Sequence, residues 1–171
     1  MEFIPEDYKE ITGDKSAMDA IIYFKTVEEK EGFIAIETKY SENLGTNEAS
    51  NKDKAIETIR QLSCFNSDLE ERINKKKTRL TQIYRNFLLS ERYGLWIGAD
   101  SYSIVLSPKI HPSTDDEVLS VTNEMRPEFK GKLQSITLES FTDKLISESP
   151  EEYAEIFRRF RDRYLSFDRV E

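Results

Sequence analysis

A mixed α/β domain is what this sequence predicts, and three observations predict it. Two short runs rich in β-forming residues, 19–24 and 32–40, can pair as a hairpin across the charged stretch 26–31. A long segment follows in which Leu80, Ile83, Tyr84, Phe87 and Leu88 recur at the three-and-four spacing of one buried helical face. Further strand-like and helix-like segments continue to the C-terminus. Strands, helices, strands, then helices is the order expected of a sheet covered by helices.

Taken in order, the first strand is Asp-Ala-Ile-Ile-Tyr-Phe, and the second reads Gly-Phe-Ile-Ala-Ile-Glu-Thr-Lys-Tyr. The polar stretch 41–51, with Gly45 inside it, predicts a loop. A helix is predicted over 52–62 and a longer one over 67–92, with a break near Asn74 and a stop at Gly94. Residues 95–97 and 102–106 read as strands separated by Gly98-Ala-Asp-Ser, and Pro108 and Pro112 bracket a loop. Helices follow over 116–125 and 138–147. The last helix has the clearest start, with Ser149 as N-cap, Pro150 in the first turn, and Glu151 and Glu152 complementing the dipole. Tyr153, Ile156, Phe157 and Phe160 would form its buried stripe. No repeat or low-complexity tract interrupts the chain.

Composition narrows the chemistry. A chain of 171 residues, 37% hydrophobic and 34% charged, fits one domain over 1–171 with a real core. No apolar run approaches the ~20 residues of a membrane span, and the N-terminus lacks the pattern of a secretory signal. The expectation is a cytoplasmic protein with no membrane partner. Cys64 is alone, which excludes an internal disulfide and a cysteine zinc cluster. His111 is also alone; beside a Ser-Thr-Asp-Asp run it reads as a surface loop residue. If the chain does chemistry, carboxylates, lysine and a hard metal ion are its expected means, with a scheme resting on the single His111 as the lesser alternative.

Net charge is −8, a balance that repels polyanions, but it is unevenly spread. Between Arg72 and Arg92 stand seven basic residues (Arg72, Lys75, Lys76, Lys77, Arg79, Arg85 and Arg92) against Glu91 alone. The rest of the chain carries 18 basic and 32 acidic side chains, a balance of −14. A second basic group, Arg158, Arg159, Arg161 and Arg163, lies near the C-terminus; Arg159 and Glu155 are spaced as a helical ion pair. Lys75, Lys76, Lys77 and Arg79 are the candidate contacts to a DNA backbone, and a solubilising helix end explains the same run. Trp96 and Tyr102 could stack on bases, or serve in core or edge packing.

The candidate catalytic residues are Asp19, Glu37 and Lys39. Strand alternation sets Phe33, Ala35, Glu37 and Lys39 on one face of the second strand. A hairpin brings Asp19 to the edge where Glu37 and Lys39 end that strand. Two carboxylates can hold a divalent ion, and a lysine beside them can orient a water or offset charge on a phosphate. Glu-x-Lys at a strand end also suits a merely solvated face. The strongly apolar run leading into Glu37, and the polar loop and basic helix after it, favour the site.

Met18-Asp-Ala-Ile-Ile-Tyr and Gly32-Phe-Ile-Ala-Ile-Glu-Thr-Lys-Tyr, joined by a charged turn, resemble the PD-(D/E)xK nucleases, the restriction-endonuclease-like superfamily. Met18 stands where the family name has proline. The resemblance covers about 16–106 and implies a restriction-endonuclease-like core, a central mixed sheet flanked by helices, with additional C-terminal helices here. It further implies Asp19 and Glu37 as metal ligands with the Thr38 backbone carbonyl, Lys39 assisting the attacking water, and Mg²⁺ as cofactor with Mn²⁺ substituting. The segment Thr81-Gln82-Ile83-Tyr84-Arg85-Asn86 resembles the family's cleft-lining helix, so Gln82, Arg85 and Asn86 are expected to line the cleft; a solvent-facing helix edge is the alternative. Members usually place a helix before the first catalytic strand. Only 18 residues precede Asp19, so that helix is expected to be missing, with Glu2, Glu6, Asp7 and Glu10 as replacement acids. The function implied is metal-dependent hydrolysis of DNA, with a homodimer expected for double-strand cutting. The alternative is a catalytically silent module on the same fold that binds nucleic acid or protein.

Overall fold

Alternation of apolar and polar residues decides how the sheet is buried. The computed structural model describes residues 3–5, 8–12, 17–40, 52–111 and 113–166. Strand β2 (Glu31–Thr38) is buried on both faces for most of its length, as its near-continuous apolar run requires. Its neighbour β1 (Ala20–Lys25) is largely exposed and forms an edge. These two pair antiparallel, Ala20 opposite Ile36, which confirms the predicted hairpin. Strand β3 (Asp100–Ser107) pairs parallel with β2, and β4 (Leu133–Thr137) pairs parallel with β3. The result is a four-stranded mixed sheet in the order β1-β2-β3-β4.

Parallel neighbours need long crossovers, and the helices supply them. Between β2 and β3 lie α2 (Lys52–Leu62), α3 (Leu69–Asn74) and α4 (Gln82–Ile97); α5 (Ser113–Asn123) and a 3-10 turn (Pro127–Lys132) join β3 to β4. One sheet face packs against α4 through two contiguous clusters, Phe33, Ala35 and Leu89 in one, Val105, Phe87 and Leu88 in the other. The opposite face, with Ile36 and Leu106, packs against Leu138 of α6 (Leu138–Glu148) and Leu165 beyond α7 (Glu151–Tyr164). Helices thus cover both faces, the α/β architecture expected of a restriction-endonuclease-like core.

Several boundaries differ from the sequence reading. The break predicted near Asn74 is present and is wider than expected, with residues 75–81 lying between the two helices α3 and α4. Gly94 does not stop α4, and residues 95–97 are its last turn rather than a strand. The stop is Gly98, which takes the left-handed conformation (φ 70°) that glycine adopts without cost. Strand β4 lies in a stretch where no strand was expected. Ser149 caps the end of α6 rather than the start of α7, its N–H meeting the Leu145 carbonyl at 3.0 Å. The stripe predicted as the buried face of α7 points outward: Tyr153, Ile156 and Phe160 are exposed, Phe157 is half-buried, and Ala154 is the packed residue. A four-residue helix, α1 (Tyr8–Ile11), precedes β1 where no helix was expected. The loop predicted over 41–51, together with Glu2, Glu6, Asp7 and Pro112, lies outside the described residues.

Candidate active site

The hairpin register dictates where the acids meet. Continuing it one step past Ala20–Ile36 sets Asp19 across from Glu37. The Asp19 Oδ2 atom accepts a hydrogen bond from the Thr38 N–H at 2.6 Å, which fixes the Asp19 carboxylate against the end of β2. Met18, at the position of the family's proline, is fully buried and exchanges two backbone hydrogen bonds with Phe3, so the entry into β1 is held from the other side. The pairing of β2 and β3 also continues past its last strand residue. Lys39 N–H donates to the Leu106 carbonyl at 2.7 Å, and this keeps Lys39 on the face that Glu37 shares.

Glu37 and Lys39 are both buried, 7% and 6% exposed, and their side chains form an ion pair of 2.7 Å. Helix α4 completes the shell. Gln82 Nε2 donates to Glu37 Oε1 at 2.7 Å, and Asn86 Nδ2 donates to Glu37 Oε2 at 2.8 Å. The spacing of four between the two amides puts both on the side of α4 that meets β2. Arg85 lies beside them, half-buried. Of the three residues expected to line a cleft, Gln82 and Asn86 meet the Glu37 carboxylate itself. Sequence spacing placed them on a shared face but gave no sign that the face would meet Glu37.

Burial pushes the Glu37 carboxyl above the usual carboxylate range. Lys39 and Asn86 pull it down, and the neighbouring Asp19 charge pushes it up. Two carboxylates against one ammonium leave a local charge of −1, which a cation would offset. The donor set is hard oxygen: Asp19 and Glu37, with the Thr38 backbone between them. This fits a Mg²⁺-type ion, which is held by one or two carboxylates and keeps water and phosphate oxygens as its other ligands. Among the described residues no group of three or more His, Cys, Asp or Glu is placed to hold a metal, so the two acids stand without a third. Glu10, the described candidate for a replacement acid, is exposed on α1 and borders a different cleft with Lys54, Glu57 and Arg92.

The remaining candidates lie around this centre. Lys75, Lys76, Lys77 and Arg79 are exposed on the connection from α3 to α4, which ends three residues after Arg79 at Gln82. Lys75 is paired with Glu71. Arg72 is bound to Glu124 and, at 3.1 Å, to Asp68. Trp96 sits 14 residues along α4 from Gln82, about 21 Å at the helical rise, and belongs to another part of the surface. There it lies 5.9 Å from the Tyr93 ring. His111 is held through Nδ1 by Thr114 and Ser113 at the start of α5, a structural position.

A family model described as "Restriction Endonuclease associating with ARP" matches residues 1–165. No curated protein and no solved structure matches the chain. No helix among the described residues is long and apolar enough to cross a membrane.

Proposed function

The chain belongs to the family of restriction endonucleases associating with ARP, and from that premise we propose that it hydrolyses phosphodiester bonds of DNA with a divalent metal ion, Mg²⁺ or Mn²⁺. The observation that carries this reading is the buried Glu37–Lys39 pair with Asp19 beside it, two acids and one ammonium at the end of a strand. Asp19, Glu37 and the Thr38 carbonyl would hold the ion. When bound, such an ion polarises the phosphate, lowers the pKa of a water and stabilises the leaving oxygen.

The chain's own residues set the rest. Lys39, fixed by Glu37 and by the strand beneath it, keeps an ammonium at the site, where it orients the attacking water and offsets charge gathering on the phosphate. Gln82 and Asn86 hold the Glu37 carboxylate in one orientation and favour its ionised form, so that α4 pre-organises the acid before substrate arrives. The basic turn before Gln82 gives a backbone track leading to the site, with Lys76 and Lys77 as its main phosphate contacts. We carry over from the family description an association of this chain with ARP as well.

The test is cleavage of supercoiled plasmid in Mg²⁺ or Mn²⁺, with an EDTA control and the variant Asp19→Asn. That variant leaves the Glu37–Lys39 pair in place, and an Asn side-chain oxygen still accepts from the Thr38 N–H. We expect nicking or linearisation that EDTA abolishes and Asp19→Asn reduces at least about a hundredfold. A folded protein that leaves the plasmid intact, or a variant that cuts as well as the parent, overturns the reading. The first of these results would favour a silent binding module on the same fold.

A further inference from the structure

The outward face of α7 has a chemistry that the site above does not use. Tyr153, Ile156, Phe160 and Tyr164 are 52%, 59%, 37% and 45% exposed. At 3.6 residues per turn, spacings of three, four and four keep them on one stripe. The other side of the helix does the packing: Ala154 is buried, and Arg161 reaches Asp143 of α6 at 2.7 Å. Acids dominate the first half of α7 (Glu151, Glu152 and Glu155) and arginines the second (Arg158, Arg159, Arg161 and Arg163), with Asp162 the one acid among them. Most are committed locally, Arg158 to Glu151 at 2.7 Å and Arg159 to Glu155 at 3.1 Å. Glu152 and Arg163 make no ion pair with a described residue, and both fall along the same edge of the apolar stripe.

We propose that α7 is the interface to a second copy of this chain, the two helices lying antiparallel across a twofold axis at their midpoint. Reversal leaves the pattern unchanged. A tyrosine closes each end of the stripe, Ile156 of one copy faces Phe160 of the other, and Glu152 of one meets Arg163 of the other. The opposed helix dipoles favour the same arrangement, whereas in a parallel pair the charged edges of the two copies would fall on opposite sides of the stripe and Glu152 would meet no Arg163. This symmetry of apolar and charged residues is what singles out a second copy over a foreign partner. The interface ends next to the site, because the Tyr40 hydroxyl, one residue past Lys39, donates to the Tyr164 carbonyl. One helix pair covers less than the ~1,200 Å² of a standard interface, which places this contact among weak, transient associations.

Sedimentation velocity of the full chain over a concentration series tests this, without DNA or metal and therefore independently of the proposed chemistry. The parent should show a concentration-dependent dimer. Ile156→Asp with Phe160→Asp should give a monomer with unchanged circular dichroism, since both side chains are exposed. Glu152→Arg and Arg163→Glu should each weaken the dimer several-fold, and their combination should restore it. A parent that stays monomeric up to about 100 μM, well into the range of weak interfaces, overturns the proposal. So does a dimer that survives the aspartates, or a combined charge reversal that restores nothing.

Discussion

Glu37 and Lys39 would each be costly to bury alone, and the fold buries them together at 2.7 Å. Removing the cation strands the anion. Lys39→Ala should therefore cost stability as well as activity, on the order of 3–5 kcal/mol for a broken buried pair. The pH dependence has a definite sign. The folded-state pKa of Glu37 is raised, chiefly by burial, so its favourable contribution is complete below the unfolded value and is lost as pH rises through the folded one. Lys39 lowers that pKa, so deleting it raises the value further and lengthens the interval over which stability is lost. The gap in urea midpoint between parent and Lys39→Ala should widen from about pH 5 to pH 8; a constant or narrowing gap would show that Lys39 does not compensate Glu37. Asp19, Glu37 and Lys39 were legible in the sequence because strand alternation and a hairpin leave them one place to meet. The grip of Gln82 and Asn86 on Glu37 was not, because it depends on how α4 sits on the sheet, which spacing along one helix does not encode.

At the scale of the element, α4 ties the site to the core, and its two glycines have different roles: Gly98, not Gly94 as expected from the sequence, ends the helix. Gly98 ends the helix in the left-handed conformation, and a Cβ there would meet nothing within 4 Å. Gly94 lies inside the helix, where a Cβ would come within 2.8 Å of the Ala99 carbonyl oxygen and 3.1 Å of the Ser101 Cβ. Gly98→Ala should thus cost about 1 kcal/mol of backbone conformational energy. Gly94→Ala should cost about 2 kcal/mol or more, since overpacking against backbone outweighs the gain in helix propensity. Urea denaturation of the two variants checks the order, and a smaller loss at Gly94 would refute the close-contact account. Residues 95–97 read as a strand because a short apolar run after a glycine fits either element. The stripe of α7 was legible as amphipathic, but periodicity does not say which side meets the core; Ala154, the smallest residue available, took the packed side. In β4, Leu-Gln-Ser-Ile-Thr carries little strand signal of its own and becomes a strand by pairing with β3.

Over the whole molecule the charge is −8, and attraction for a polyanion must be local. Counting basic residues from Arg72 to Arg92 located the region but overstated its strength. Arg72 is spent on Glu124 and Asp68, and Lys75 on Glu71. Lys76 and Lys77 are exposed, make no ion pair with a described residue, and stand a few residues before Gln82 of the site. If DNA runs over this turn, each of these two lysines releases about one counterion on binding. Lys76→Ala with Lys77→Ala should then weaken binding to any duplex sequence about equally, and should reduce the slope of log K against log salt by about 2. Lys75→Ala, whose charge is already engaged, should reduce it by less. Fluorescence anisotropy of a labelled duplex in EDTA, where cleavage is suppressed, reads both slopes. A double variant with the parent's slope would place the DNA path away from the turn. A slope change for Lys75→Ala of half that of the double variant, a full counterion, would mean that the Glu71 pair opens on binding.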